Sequence, residues 1–169
     1  MLAISRRVFL LLGTAALLTA CSAIGPAPGP AISPAQLSAA SITAAINDVR
    51  KANGKPPLVY NPRLETAARS QAQLMAHKDR LSHDLGVPLR QRVTAAGYDG
   101  AVGENLAGGQ TTLQQAIQGW LDSPSHRDTL LSSRFTEFGL AVASVDGDRK
   151  SRYGTYWAMI AGGSFEAWR

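Results

Sequence analysis

Two histidines and one glutamate of this chain stand where their side chains could bind a metal ion. His126 lies in residues 119–131, GWLDSPSHRDTLL, where Ser123 and Pro124 predict a helix that starts just before it. The free N–H groups and the helix dipole at such a start disfavour an imidazolium. We therefore expect the neutral ring, which accepts a hydrogen bond or binds a metal. Packing beside Trp120, or a hydrogen bond to a loop carbonyl, is the alternative role for His126.

His83 and Glu104 are the other two candidate metal ligands. His83 follows the second predicted helix, and Glu104 lies in an apolar, glycine-flanked segment between Gly103 and Leu106. A carboxylate in that setting is not expected to be an ordinary surface charge. Zinc accepts a His, Glu, His set in catalytic sites that keep one position open. The three residues are far apart in sequence, so their spacing alone does not bring them together.

Motifs that include these three residues run in a fixed order through most of the chain. They are Asn47 and Arg50; Gly54, Pro57 and Leu58; Leu64, Ala68, Ala72, Met75, Ala76 and His83; Gly97-Tyr98; Gly103-Glu104-Asn105; Trp120-x-x-Ser-Pro-x-His126-Arg127; Leu130-Leu131, Phe135, Gly139 and Tyr156-Trp157. With these motifs, the segment from Ile46 to Gly163 resembles the CAP superfamily of cysteine-rich secretory proteins, antigen 5 and plant pathogenesis-related proteins. The resemblance is to its bacterial, SCP-like branch in particular.

The resemblance implies an α+β fold, an α-β-α sandwich whose helices pack on a small antiparallel sheet around a central cleft. It also implies that two histidines and two acidic residues line the cleft, and that several members bind zinc or another divalent cation through the histidines. His83, Glu104 and His126 match three of these positions and are the predicted metal ligands.

The fourth position of that set departs from the family pattern. Ser123 stands where animal and plant members have a glutamate, and Asp122 lies beside it. We expect Asp122, Ser123 and Arg127 to be associated with the cleft, with Ser123 as a helix cap. Arg127 is expected to anchor the start of that helix or a nearby carboxylate.

Hydrophobic periodicity predicts helices first and strands afterwards, an α+β order. The first predicted helix starts at Ser33-Pro34-Ala35-Gln36 and ends at Asn53-Gly54, and the second starts at Asn61-Pro62. The third covers Pro88 to Ala96, and two more start at Thr112 and Pro124. Phe138, Leu140 and Val142 alternate as in a strand, Asp146-Gly147 predicts a hairpin, and Tyr153 to Ile160 predicts its second strand. Trp120 and Trp157 are expected in the core, and His77 in solvent.

Residues 1–20 are predicted to be a lipoprotein signal peptide. Arg6 and Arg7 precede an apolar run, residues 8–18, that is too short to span a bilayer comfortably. This pattern resembles the twin-arginine export motif, and a Sec-type signal is the alternative. Cys21, the single cysteine, follows small residues as in a lipobox, so we expect lipidation there and a membrane as partner.

Residues 21–34 are expected to form a lipidated, proline-rich tether, on the order of 40 Å long when extended. Residues 35–169 then form one CAP/SCP domain in the cell envelope or periplasm. The formal net charge is only +5, and no basic block carries interleaved aromatic residues. Nucleic acid is therefore excluded as a partner.

The sequence leaves several functions open and assigns no catalytic residue. The favoured prediction is an envelope-anchored binding module whose cleft holds a divalent metal and an unknown lipid, glycan or peptide. A metal-dependent hydrolase of the envelope, with Glu104 orienting water or acting as base, is the alternative. A purely structural lipoprotein is a further alternative, in which the cleft would be unoccupied and not needed for function. A serine hydrolase is rejected, because Ser125 and His126 are adjacent helical residues that do not face each other.

Overall fold

Five α-helices and four β-strands make up the domain in a computed structural model, which describes residues 31–145 and 150–169. In chain order they are α1 (Ala39–Ala52), β1 (Val59–Tyr60), α2 (Pro62–Lys78), α3 (Leu89–Ala95), β2 (Ala101–Gly108), α4 (Leu113–Asp122), α5 (Pro124–Leu131), β3 (Glu137–Ser144) and β4 (Thr155–Gly163). Short 3-10 turns cover Pro34–Gln36 and Phe165–Trp168. The predicted signal peptide, Cys21, most of the tether and the Asp146-Gly147 hairpin lie outside the described residues.

The strands form one mixed sheet in the order β1-β3-β4-β2. Strand β4 pairs antiparallel with both β2 and β3, while β1 pairs parallel with β3. The predicted α-β-α sandwich is confirmed, and the parallel pairing is an addition to the antiparallel sheet that was expected. Strand β1 has only two residues, too few to show an alternating pattern. Strand β2 was expected only as a glycine-flanked segment, and it forms the edge strand beside β4.

Two apolar cores cover the two faces of this sheet. One joins α1, α4 and α5 to the sheet through Trp120 and Trp157, and the other joins α2 and α3 to the opposite face. Both tryptophans are buried, as predicted, and their indole N–H groups donate to the backbone oxygens of Leu106 and Gln110. The small-residue face of α2 lets it lie directly on β3, where a Cβ at Gly139 would overlap the α2 backbone.

Capping side chains start two of the helices, α2 and α4, where the sequence predicts them. Asn61 accepts a hydrogen bond from the N–H of Arg63 at the start of α2, and Thr112 caps α4 in the same way. The first helix is the exception. The predicted capping box at Ser33 closes only the 3-10 turn, and α1 begins at Ala39 after a second capping residue, Ser38. The predicted start at Ser33 was therefore wrong, because the backbone turns extended at Leu37.

Within residues 31–145 and 150–169, none of the helices combines the length and apolar character needed to cross a bilayer.

Candidate functional site

Glu104 is the centre of the candidate site and lies buried on the edge strand β2. Both of its carboxylate oxygens have partners. Oε1 accepts from Nη1 of Arg92 at 2.6 Å, and Oε2 lies 2.8 Å from Nδ1 of His83. The Arg92 and Glu104 side chains are only 1% and 2% exposed, whereas the His83 side chain is 60% exposed. A buried ion pair therefore stands behind a histidine that faces solvent.

The His83 ring is held in one orientation by Glu104 and by the loop that follows α2. A carboxylate accepts hydrogen bonds, so the proton of the neutral ring lies on Nδ1, and Nε2 keeps its lone pair. The loop is fixed by Gln71 of α2, which is fully buried and donates from Nε2 to the backbone oxygen of Ser82 at 2.6 Å. The outward nitrogen of His83 is thus presented as an acceptor or a metal ligand.

His126 lies half-buried in the first turn of α5, as the sequence predicts. Burial lowers the pKa of His126, and the nearby charge of His83 lowers it further. The neutral ring is therefore favoured, in agreement with the expectation from the helix start. Asn105, the neighbour of Glu104 on β2, donates from Nδ2 to the backbone oxygen of His126 at 2.8 Å. Strand β2 thereby connects both histidine-bearing segments.

The three residues expected beside the cleft have other partners. Asp122 is exposed and accepts from Nε2 of Gln118 at 2.7 Å. Ser123 occupies the N-cap position of α5 but makes no side-chain capping hydrogen bond. Arg127 donates to the backbone oxygen of Leu121 at 3.5 Å and to Oδ1 of Asn53 at 3.2 Å. Arg127 thus ties the start of α5 to the end of α4, which is one of its two expected roles. Its side-chain partner is the amide of Asn53 and not a carboxylate.

Three polar residues that support the site were not anticipated: Gln71, Arg92 and Asn105. All three are buried, and each leaves one side-chain atom without a hydrogen-bond partner: Gln71 Oε1, Arg92 Nη2 and Asn105 Oδ1. The sequence carries one signal for Arg92. It lies three residues after Leu89 and next to Val93, on the inner face of a short helix, where an arginine needs a buried acid.

The predicted metal site needs His83, Glu104 and His126 around one ion. Among the described residues, no group of three or more His, Cys, Asp or Glu side chains is placed to hold a metal ion. Both oxygens of Glu104 already have a partner and its side chain is only 2% exposed, so its role as a ligand stays a prediction. His83 lies close enough to His126 for its charge to act on that ring, so the two imidazoles are the remaining candidates for a donor set. Glu104 would then orient His83 from behind, as carboxylates do for many metal-binding histidines.

Two comparisons of sequence give matches. The family model of CAP, the cysteine-rich secretory protein family, matches residues 43–160. The protein YkwD of Bacillus subtilis (strain 168) is 30% identical over 97 residues, which are 56% of this chain and 38% of YkwD. The chain thus spans well under two thirds of that relative.

Solved structures share the fold. An extracellular protein containing a SCP domain from Bacillus anthracis str. Ames aligns with a TM-score of 0.63 and 23% identity, over 74% of this chain and 40% of its own. An outer surface protein from Borrelia burgdorferi aligns with a TM-score of 0.62 and 23% identity, over 74% of this chain and 91% of its own. The α-β-α sandwich is therefore the common architecture of all three.

Proposed function

Because this chain belongs to the cysteine-rich secretory protein (CAP) family, we propose that it is an envelope-anchored binding module. Its ligand site is the cleft between His83 and His126. Lipidated Cys21 anchors the domain to a membrane after export, and the ligand is a lipid, glycan or peptide of the envelope. Two structural relatives, described as extracellular and as an outer surface protein, support the export part of this proposal.

The observation that carries the proposal is the double engagement of Glu104. A general base must reach the water from which it takes a proton. The Glu104 side chain is only 2% exposed, and its two oxygens accept hydrogen bonds from Arg92, at 2.6 Å, and from His83. A carboxylate buried in this way orients His83 and has little contact with water. The site is therefore built to present two imidazoles to a ligand.

A divalent cation, zinc in particular, is part of the proposed site. His83 through Nε2 and the neutral His126 would hold it, and ligand or water would complete its coordination. When bound, the cation would act as a Lewis acid toward an oxygen of the ligand. With only two protein donors, the affinity is expected to be modest. Glu104 and Arg92 keep the His83 ring in place whether or not the cation is present.

A metal-dependent hydrolase is the weaker candidate function. It requires a second carboxylate close to the metal, and Asp122 was the only residue expected to supply one. Asp122 is exposed on α4 and pairs with Gln118, and it makes no hydrogen bond to His83 or His126. No observation on the described residues favours this alternative.

Zinc titration of the purified chain by calorimetry tests the proposal. We expect one zinc per chain, lost in a His83→Ala/His126→Ala variant and retained in His77→Ala, which removes the exposed third histidine. Glu104→Gln should weaken zinc binding about 10- to 100-fold, the usual effect of removing a carboxylate behind a metal-binding histidine. Circular dichroism controls for folding. Zinc binding of equal strength in the double variant, or none in the wild type, would contradict the metal site.

A further inference from the structure

The C-terminal turn carries two exposed aromatic side chains on one face. Phe165 and Trp168 are 53% and 46% exposed, although both belong to the class of residues that folded domains usually bury. They are three residues apart in the 3-10 turn Phe165–Trp168, so their side chains lie on the same side of it. Trp168 also contacts the buried ring of Phe135, with ring centroids 5.3 Å apart. The turn is therefore attached to the core while it presents an apolar surface outward.

Arginines surround these two rings. The guanidinium of Arg134 lies 4.6 Å from the ring centroid of Trp168, and that of Arg90 lies 5.5 Å from the ring of Phe165. Arg169 follows the turn directly and is exposed. Within the described part of the chain, none of these three arginines forms a salt bridge with a carboxylate. We call Phe165, Trp168, Arg90, Arg134 and Arg169 the basic aromatic face.

We propose that the basic aromatic face is a docking surface for anionic phospholipid. Tryptophan beside a cationic side chain suits the boundary between headgroups and acyl chains, where an apolar ring and a charge are both solvated. These arginines have no salt-bridge partner among the described residues, so their charges can pair with the negative headgroups. Each cation near such a surface strengthens binding by about fivefold. Three arginines and two rings give a weak contact, which suffices for a domain that a lipid anchor already keeps at the membrane.

The position of the face is compatible with the proposed anchor. The chain enters the described domain at Ile32, whose backbone oxygen accepts from the N–H of Leu113 at the start of α4, just beyond the end of β2. The basic aromatic face follows Gly163, which pairs with Ala101 at the other end of β2. An eight-residue strand separates the two points by about 27 Å. The part of the predicted tether that precedes Ile32, residues 21–31, would span about 34 Å when extended at about 3.1 Å per residue, which is longer than this separation.

This inference rests on the membrane location in the proposed function but not on the cleft or its metal. The chain has three tryptophans, and Trp120 and Trp157 are buried, so Trp168 is the natural probe. The full chain is mixed with vesicles of phosphatidylcholine, with or without phosphatidylglycerol, in which some acyl chains are brominated to quench tryptophan fluorescence. We expect quenching in the phosphatidylglycerol vesicles only, and its loss in Trp168→Phe.

Charge variants with a matched control complete the test. Arg134→Gln/Arg169→Gln should shift the docking equilibrium about 25-fold toward the free domain, two cations at about fivefold each. Lys51→Gln/Arg80→Gln removes two exposed charges elsewhere and should leave quenching unchanged. Phe165→Ser should reduce docking, whereas Val59→Ser, at a residue that is 66% exposed, should not.

Several results would overturn the inference. One is an unquenched Trp168 in the anionic vesicles, and another is quenching that both charge variants reduce equally. Protection of Trp168 from acrylamide in the absence of vesicles would assign the face to another segment of the chain. In each case vesicle co-sedimentation reports membrane association separately, and zinc titration reports the cleft.

Discussion

Glu104 and Asp79 are two carboxylates that the fold fixes in place with different kinds of partner. Glu104 is buried on β2 and is held by the charged guanidinium of Arg92 and by the ring of His83. Asp79 follows α2, and neutral donors are among its partners: the hydroxyls of Tyr156 and Ser151 and the backbone N–H of Arg152. One carboxylate supports a histidine that faces solvent, and the other joins the end of a helix to the sheet.

The difference between these regions lies in what each carboxylate leaves accessible. The Asp79 cluster ends in the buried ring of Tyr156 and serves to connect α2 with β4. The Glu104 cluster ends in an imidazole that is 60% exposed and fixed in one orientation. A buried charge pair is costly to desolvate and adds little stability of its own. Its presence behind His83 is therefore more readily explained by ligand binding than by stability.

The largest expected effect comes from removing one partner of the buried ion pair. Arg92→Met leaves the Glu104 carboxylate buried with the ring of His83 as its remaining partner, which should lower the free energy of unfolding by about 3–5 kcal/mol. Urea denaturation at neutral pH measures it. Replacing both partners, Arg92→Met/Glu104→Leu, should restore most of the stability while weakening the cleft. If Arg92→Met were as stable as wild type, the Glu104 carboxylate would not need the charge of Arg92 to stay buried.

A smaller effect is expected at the neutral cluster. Asp79→Ala removes the acceptor for the buried Tyr156 hydroxyl, which should cost about 2 kcal/mol of unfolding free energy. Asp79→Asn should retain part of this, because an amide oxygen can still accept from the Tyr156 hydroxyl and asparagine tolerates the left-handed backbone found at this position, φ 47°. Both are measured by urea denaturation. If Asn were as damaging as Ala, the charge of Asp79 would matter as much as that of Glu104.

The regular parts of the fold could be predicted because they depend on local signals. Asn61-Pro62 and Thr112 carry their own capping chemistry, and α2 and α4 start there. The failure at Ser33 has the same origin, since a local capping box says where a turn can close but not how far the helix continues. Strand β2 was missed because Gly103, Glu104 and Asn105 interrupt its apolar alternation, and its pairing with β4 is a tertiary contact that leaves no local signal.

The site could be predicted in its residues but not in its connections. The motifs identified His83, Glu104 and His126, and the helix start indicated the neutral form of His126. The partners of Glu104 depend on tertiary packing that brings Arg92 of α3 under β2, twelve residues earlier in the chain. Gln71 and Asn105 bond to backbone oxygens, which have no sequence signature. The cleft-associated roles of Asp122 and Ser123 stay predictions.

The loop that carries His83 offers a third test, with an effect of about 1 kcal/mol. Gln71→Met keeps the shape of the side chain but removes its hydrogen bond to Ser82. We expect a slightly lower urea midpoint and a broadened His83 ring resonance in NMR spectra, since the loop loses its support from α2. Gln73→Met on the exposed side of the same helix is the control. An unchanged His83 resonance would mean that Glu104 alone holds the ring.

The smallest expected effect is a loss of stability at alkaline pH, which involves the Asp79 cluster through Tyr156 and not the Glu104 cluster. Burial, followed by the hydrogen bond to Asp79, raises the pKa of Tyr156 to about 12. The unfolded chain loses this phenolic proton near pH 10, earlier than the folded protein does, so stability is retained below pH 10 and falls as the pH rises toward 12. Tyr156→Phe should therefore lose less stability than wild type between about pH 9 and pH 11, although it starts about 1 kcal/mol lower at pH 8. Urea midpoints of the wild type and the variant, measured across that range, test this difference.

Tyr60 and Tyr98 also have raised pKa values, so part of the alkaline loss should remain in the variant. Identical pH dependence in the two proteins would mean that the link between Asp79 and Tyr156 does not hold its proton, and that the Asp79 cluster is looser than the one around Glu104.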